Sequence, residues 1–445
     1  MKQSTIDDGL FTADRIFENQ SQYADLSFYG SLVEKSNNNN PEHIITYINE
    51  ITSNATEPQY SLMTTCGLAL KASRNFSRID QLRVWLAEGI PVKRFHPDES
   101  AIVAPSNLFC DLVYYLLTDK VAGVGSVLNM SIDNPSLINT DDFTTTAKFL
   151  KTNEIYFNGA ITKPANIRQF ISETAPFMLC NSVIADGKFS LQPALPTTST
   201  GEISTNPVVI KQLFTAGNIL EDTFEIEYLP AEERRDFQAV IRYRQETKNQ
   251  LPQEKNIIVR WAEPGSQDYS VESFDLTAFC TTRQHAELVG RFFLSIRRRV
   301  THTVKFKTTP FGISLAPGDY IRVLTESNPY SSARNGTIDT DGAIVSASNI
   351  VDGQYNIIYH KIGSEDVNNG TMTVSGGIVS DSALWNSLFT ISDATISKNV
   401  YQVEQLSLGD DNTVEITASE FPCDDSLISR LALDVTNADN FSVDL

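Results

Sequence analysis

Cysteine is scarce: five residues in 445, Cys66, Cys110, Cys180, Cys280 and Cys423, odd in number and widely scattered. None forms a CxxC pair or stands near a histidine at ligand spacing. Neither a disulfide framework nor a zinc site is indicated, and the five read as small buried apolar residues of a protein made in a reducing cytosol. Histidine is as sparse. His43, His96, His285, His302 and His360 include no HxH, HExxH or HxxxH arrangement that would aim two imidazoles at one metal. His302 alternates with Val300, Val304 and Phe306 and reads as a packed cross-strand residue. There is no GxSxG, P-loop or GxGxxG; the nearest glycine patterns, AGVG and SGGIV, are loop punctuation. No run of about 18 apolar residues is present to span a membrane, and the opening MKQSTIDDGLFTADRIF lacks the apolar core of a signal peptide.

Positive charge is the other shortage. Lys and Arg number 35 against 55 Asp and Glu, a formal net charge of −20. Surfaces that grip DNA or RNA neutralise phosphates with clustered Lys and Arg, so this balance argues against nucleic-acid binding. It suits a wall that passes DNA without holding it.

What is present is ordinary globular material: 41% hydrophobic, 9% aromatic and 20% charged residues. The length suggests about two to four domains of roughly 100 to 200 residues. Residues 1–40, with the run KSNNNN, read as a polar N-terminal arm. Residues 41–100 form a β-rich segment, in which PEHIITYINEI alternates like a strand and LRVWLAEGIPVKRF reads as two short strands around a glycine turn.

Residues 101–204 read as α+β. Leu108, Leu112, Tyr115 and Leu116 share a helical stripe that glycines 123 and 125 follow, and a second helix starts near Thr140 with Phe143, Ala147 and Leu150 inward. A third begins after Pro164, places Ile167, Phe170, Ile171 and Met178 on one face, and is ended or kinked by Pro176. VIADGKFSLQPAL reads as a hairpin turning at Asp186-Gly187.

Residues 205–330 are β with one helix, and APGDYIRV resembles the closing hairpin of a small barrel, Tyr320 and Arg322 alternating with Ile321 and Val323. Residues 331–445 read as a C-terminal β domain. The fold class is therefore α+β, mainly β, and multidomain. There is no internal repeat of about 20 to 50 residues and no heptad tract, so no fibre shaft is expected.

Two features raise questions of chemistry. CTTRQHAELVGRFFLSIRRRVTHTVKF puts Arg297, Arg298 and Arg299 together in an acidic chain. Val289, Phe292, Phe293 and Ile296 make an apolar stripe, Thr281 or Thr282 can cap the start, and the arginines fall in the last turn, where the helix dipole favours cations. The stretch reads as a helix end rather than a nucleic-acid patch. Glu221, Asp222, Glu225 and Glu227 offer carboxylates for a glycosidase pair, but strand alternation puts Glu225 and Glu227 on one solvated face. No catalytic, cofactor or metal residue is nominated, and a non-enzymatic protein is expected.

Several segments taken in order resemble the central tail hub or tip attachment proteins of long-tailed (siphovirus, lambda-like) bacteriophages. They are PEHIITYINEI, LALKASRNFSRIDQLRVWLAEGIPV, PSNLFCDLVYYLLTDKVAGVG, ISETAPFMLCNSVIADGKFSLQP and DLTAFCTTRQHAELVGRFFLSIRRRVTHTVKFKTTPFGISLAPGDYIRV, spanning roughly residues 41 to 325. The resemblance implies small β-barrel hub domains in a homotrimer at the distal end of the tail tube. It further implies a DNA path along the threefold axis, a place in the virion at the tail tip after assembly in the host cytoplasm, and contacts with distal tail, tube, tip or fibre proteins. Such hubs often carry a first barrel upstream and receptor-binding modules downstream, so a partner chain is expected to supply both. The Gly-, Ser- and Asn-rich region after residue 330 leaves an alternative, a receptor-binding tip or fibre protein that contacts the host surface. A cell-wall hydrolase would need an Asp or Glu pair that the sequence does not offer.

Overall fold

The computed structural model describes strands at 10–12, 30–35 and 65–70, and residues 89–98, 103–161, 166–185, 187–215, 217–230, 237–246, 252–262, 270–324, 334–346, 350–364, 366–391, 400–409, 412–424 and 426–444. The chain forms two units, Met1–Ala87 and Glu88–Leu445. In the first, β1 (Leu10–Thr12), β2 (Gly30–Lys35) and β3 (Thr65–Leu70) make an antiparallel sheet in chain order. Two of its strands thus come from the segment read as a polar arm. PEHIITYINEI lies outside the described residues.

The second unit opens with a two-stranded ladder, β4 (Val92–Lys93) and β5 (Val103–Ala104). β4 is the described half of the expected strand pair around Gly89. Helices α1 (Phe109–Thr118), α2 (Gly125–Leu128), α3 (Thr140–Thr152) and α4 (Ile167–Thr174) follow, then the hairpin β6 (Cys180–Ala185) and β7 (Lys188–Pro193). Next come β8 (Ile210–Thr215), β9 (Glu225–Tyr228), β10 (Phe237–Gln245), β11 (Gln253–Trp261) and β12 (Ser270–Asp275). α5 (Arg283–Arg299), β13 (His302–Thr308) and β14 (Tyr320–Leu324) complete the middle of the chain. The remainder is β15 (Asn335–Ile338), β16 (Ile344–Val345), β17 (Gly353–Lys361), β18 (Val367–Ser375), β19 (Ile378–Val379), β20 (Ser387–Ile391), β21 (Val400–Leu408), β22 (Val414–Glu420), α6 (Arg430–Thr436) and β23 (Phe441–Asp444).

The helices form where short-range rules place them. α3 starts at Asn139, whose side chain accepts from the Asp141 amide, and buries Phe143, Ala147 and Leu150. Pro176 ends α4, since it cannot donate to the preceding turn, and the chain continues as a 3-10 turn over Ala175–Met178. α1 differs in its buried face: Phe109, Cys110, Val113, Tyr114, Leu116 and Leu117 are buried, while Leu112 and Tyr115 are only half covered. The reason is tertiary, because Phe95, Tyr114 and Phe143 interlock at centroid distances of 4.8 to 6.0 Å and pull the face round toward α3.

Three layers of pairing organise the second unit. The sheet β12-β10-β11-β23 carries α5 on one face and shares a continuous core with α1, α3, α4 and the β6–β7 hairpin. The sheet β8-β14-β21-β22-β13-β9 curls into a nearly closed barrel: past β8, Ile219 bridges Thr308, and the Leu220 amide donates to the Lys307 carbonyl at 2.8 Å. Its core holds Phe214 against Phe306 at 5.0 Å, with Val304, Ile321, Val323, Tyr401, Val403 and Ile416.

A second six-stranded sheet, β16-β15-β20-β17-β18-β19, brings its edges together, the Val379 amide donating to Gly342 at 2.7 Å and the Ile344 amide to Gly377 at 3.2 Å. It packs its own core of Ile338, Ile357, Met372, Val374 and Phe389.

The two barrels are nested. Every strand of the second lies between β14 and β21, which are themselves neighbours in the first, Arg322 opposite Val400. The segments 205–330 and 331–445 are therefore interlaced: β21 and β22 close the first barrel, while α6 and β23 join the helix-covered sheet.

Candidate functional site

The basic helix end is the first feature to resolve. Thr282 caps α5 by accepting from the His285 amide, and the three arginines occupy the last turn. Each is engaged internally. Arg297 makes a two-point contact with Glu272 and lies over the Phe237 ring at 4.4 Å. Arg298 lies over Trp261 at 4.5 Å. Arg299 donates to Asp434 from Nε at 2.9 Å and from Nη2 at 3.1 Å. Planar guanidinium groups suit both contacts, bidentate and stacked. The cluster is a clamp that ties α5 to β10, β11, β12 and α6.

The carboxylates read as a possible pair stay apart from any enclosed site. Glu225 and Glu227 are exposed on β9, and Glu221 and Asp222 are exposed in the turn before it. Among the described residues, no group of three or more His, Cys, Asp or Glu is gathered as metal ligands would be. Cys110, Cys180 and Cys280 are buried and free, as expected of apolar cysteines, and Cys423 is free and half-buried.

The described histidines have separate local roles. His285 is buried with Nε2 2.8 Å from the Phe177 carbonyl, and burial pulls its pKa down to about 4, so it stays neutral. His96 accepts the Asp98 amide, and His360 reaches the Ser364 carbonyl at 3.0 Å.

His302 is the cross-strand residue expected, opposite Tyr228 on β9, and it also belongs to a polar chain at the barrel wall. Tyr401 Oη lies 2.9 Å from Nε2, and Thr301 Oγ1 lies 2.7 Å from Nδ1. Glu420 accepts from both the Thr301 amide and hydroxyl. A consistent set of donors has Tyr401 donating to His302, His302 to Thr301, and Thr301 to Glu420. Burial works to raise the Glu420 pKa, but the His302 ring, with Nδ1 3.3 Å from the carboxylate, and the hydrogen bonds from Thr301 outweigh it and hold the carboxyl below its usual range. No spacing signal could have joined Tyr401 and Glu420 to His302, because three separate strands bring them together.

A cavity of about 310 Å³ opens where the helical segment meets the first barrel. Ser172, Asn181, Ser182 and Gln192 line one side, and Gln402, Glu404 and Ser419 the other. Glu404 is the extra residue of a β-bulge in β21, where register slips between Val403 and Gln405. Gly318, at φ 98 in the expected turn before β14, forms part of the wall; a Cβ there would meet Gln192 Oε1 at 2.5 Å.

No family model matches the chain, and no curated protein matches it. Among solved structures it is similar to a chain in the virion of a native gene transfer agent particle, at 10% identity and a TM-score of 0.34, covering 63% of this chain and 47% of that one. It is also similar to a tail protein from Neisseria meningitidis MC58, at 9% identity and a TM-score of 0.28, covering 62% and 61%. A third is a 43 kDa tail protein of prophage MuSo2 from Shewanella oneidensis, at 9% identity and a TM-score of 0.24, covering 62% and 59%. The chain thus spans 47 to 61% of the length of these proteins.

Proposed function

We propose that this chain is a structural protein of a bacteriophage tail, a trimeric hub or baseplate component that closes the distal end of the tail tube. In this role it anchors tip or fibre proteins and lets DNA pass on ejection. The observation that carries the reading is the small mixed barrel β8-β14-β21-β22-β13-β9, whose strands β13 and β14 come from the last of the segments that resemble tail hubs. The net charge of −20 supports a conduit that does not retain DNA. Its partners are two further copies and the neighbouring tail proteins, in the virion at the tail tip after assembly in the host cytoplasm.

The test is native mass by light scattering with image averaging, on purified protein and on labelled intact particles. A threefold mass with a central opening supports the reading. A single copy per tail in intact particles, with no ring of small barrels, overturns it.

The nested second barrel favours the alternative of host contact. It is joined to the first barrel through two adjacent strands and leaves Val345, Val351, Ile362 and Ile378 exposed. Removal of 331–396 alone, rather than of the whole tail, isolates that role, because β21 and β22 belong to the first barrel. Unchanged binding of purified protein to host cells after that excision rules the alternative out.

A further inference from the structure

The cavity between the helical segment and the first barrel is walled by two cross-strand pairs. Asn181 and Gln192 stand opposite each other in the β6–β7 hairpin, and Gln402 and Ser419 stand opposite each other in the β21–β22 ladder. Tyr401 and Val403 point into the barrel core, which turns Gln402 outward to the cavity. Glu404 follows as the bulge residue. No residue of β22 lies opposite it, and among the described residues its carboxylate enters no ion pair and accepts no hydrogen bond.

The orientation of the two glutamines decides what the cavity offers. Gln192 Nε2 donates to Asp142 Oδ2 at 2.9 Å, an oxygen that also accepts the Ser190 hydroxyl at 2.7 Å. A carboxylate oxygen accepts, so the nitrogen end of the amide is fixed there and Oε1 lies at the Gly318 wall, 2.5 Å from where a Cβ would stand. Gln402 Nε2 donates to the Gly318 carbonyl at 3.3 Å, which leaves its Oε1 as the free end. Both amide nitrogens are thus anchored to the protein.

Charge points the same way. No Lys, Arg or His lines the cavity, and Glu404 is the one acidic residue in its wall. Asp319, next to Gly318, already pairs with Lys211 at 2.9 Å. Burial pushes the pKa of the Cys180 thiol up, so this wall residue stays neutral. The cavity is biased toward hydrogen-bond acceptors and carries one unmatched negative charge.

We propose that this cavity binds a guanidinium group, brought either by a free small molecule or by an arginine side chain of a neighbouring protein. A guanidinium has five donors and no acceptor, which complements the two glutamine oxygens and the carboxylate. Its planar fork meets a carboxylate such as Glu404 through two parallel hydrogen bonds. A polyhydroxyl ligand would bring acceptors as well as donors. The volume of about 310 Å³ is at the lower end of ligand cavities, which run from about 300 to 1,000 Å³, and suits one side-chain-sized group.

The test is isothermal titration calorimetry of the full chain at constant ionic strength, with N-acetylarginine amide, N-acetyllysine amide, methyl glucoside or an acetyl-Gly-Arg-Gly-amide peptide. Wild type is expected to bind at least one of the two arginine compounds saturably. Glu404→Gln, an exposed change whose unfolding midpoint should match wild type, is expected to weaken that binding by about tenfold. Glu227→Gln, on β9 and outside the cavity wall, should leave it unchanged.

Saturation by N-acetylarginine amide supports the proposal with a free small molecule as sufficient ligand. Saturation by the peptide alone supports it with a neighbouring protein as the source. Equal binding of the lysine amide or of methyl glucoside overturns it, because the site then does not select a guanidinium. Equal weakening by Glu404→Gln and Glu227→Gln overturns it as well, since the acidic chain then attracts cations diffusely. So does the absence of saturable binding by both arginine compounds.

Discussion

Arg299, in the last turn of α5, grips Asp434 of α6 with two hydrogen bonds of 2.9 and 3.1 Å, and the Asp434 side chain is only 6% exposed. Removing the arginine leaves a carboxylate enclosed without its partner. Arg299→Met is expected to cost about 3 to 5 kcal/mol, as when a buried pair loses one member. Arg299→Met with Asp434→Leu should recover much of that loss. Chemical denaturation of the two variants checks it: equal stability would mean that Asp434 gains nothing from the pair.

Gly290 faces the sheet in the middle of α5. A Cβ there would meet Val259 Cγ2 at 2.8 Å and Ile241 Cδ1 at 2.9 Å. Higher helix propensity is therefore outweighed by overpacking, and Gly290→Ala is expected to destabilise by about 1 to 3 kcal/mol. A rise in unfolding midpoint would show that the sheet yields at no cost.

Asp111 has its pKa raised to about 6 by burial, against the opposing hydrogen bonds from Ser106 and the Phe95 amide. An acid with a raised folded pKa contributes most below its unfolded value of 3.8 and loses that contribution as pH rises through about 6. Asn cannot titrate. Between pH 3 and pH 8 the stability of Asp111→Asn should gain on wild type by about 3 kcal/mol. Parallel stability curves for the two proteins over that range would refute the assignment.

Glu420 behaves in the opposite sense, with its carboxyl held below the ordinary range despite burial. Its contribution is present above the unfolded pKa and disappears as pH falls through the folded one. Glu420→Gln should therefore be less stable than wild type at neutral pH, by about 1 to 3 kcal/mol, and the gap should close in acid. A gap independent of pH would assign the loss to packing.

Leu324 ends β14 and Val400 begins β21, and Arg322 pairs with Val400 directly. Replacing residues 326–397 with a short Gly-Ser linker is therefore expected to leave the first barrel folded. The retained hairpin needs only a turn, and loop-closure cost grows slowly with length. Far-ultraviolet dichroism and a cooperative unfolding transition are the readout. Loss of that transition would show that contacts of Ile358 and Val367 with Leu213 and Leu324 hold the barrel together.

The legible part of this protein was local. The stripe of Phe143, Ala147 and Leu150 after Thr140 placed α3, a threonine cap at 281 or 282 and three arginines placed both ends of α5, and Pro176 marked the end of α4. Gly187, at φ 73, and Gly318, at φ 98, marked two turns. The structural role of Arg297, Arg298 and Arg299 was legible too, since a cation at a helix C-terminus needs no distant partner to be favourable. The identity of those partners, Glu272, Trp261 and Asp434, was not.

The sequence by itself determined the helices α3, α4 and α5 and the turns at Gly187 and Gly318, because capping, periodicity and proline geometry act within a few residues. It did not determine β1, β2 or the helix α6. Tertiary structure alone decided that β21 and β22 complete a barrel begun at β8, that a second barrel sits between β14 and β21, and that Arg322 is enclosed. Alternation fixes which face of a strand a residue occupies. Whether that face meets water, a core or another strand depends on segments far along the chain, and no local spacing encodes their approach.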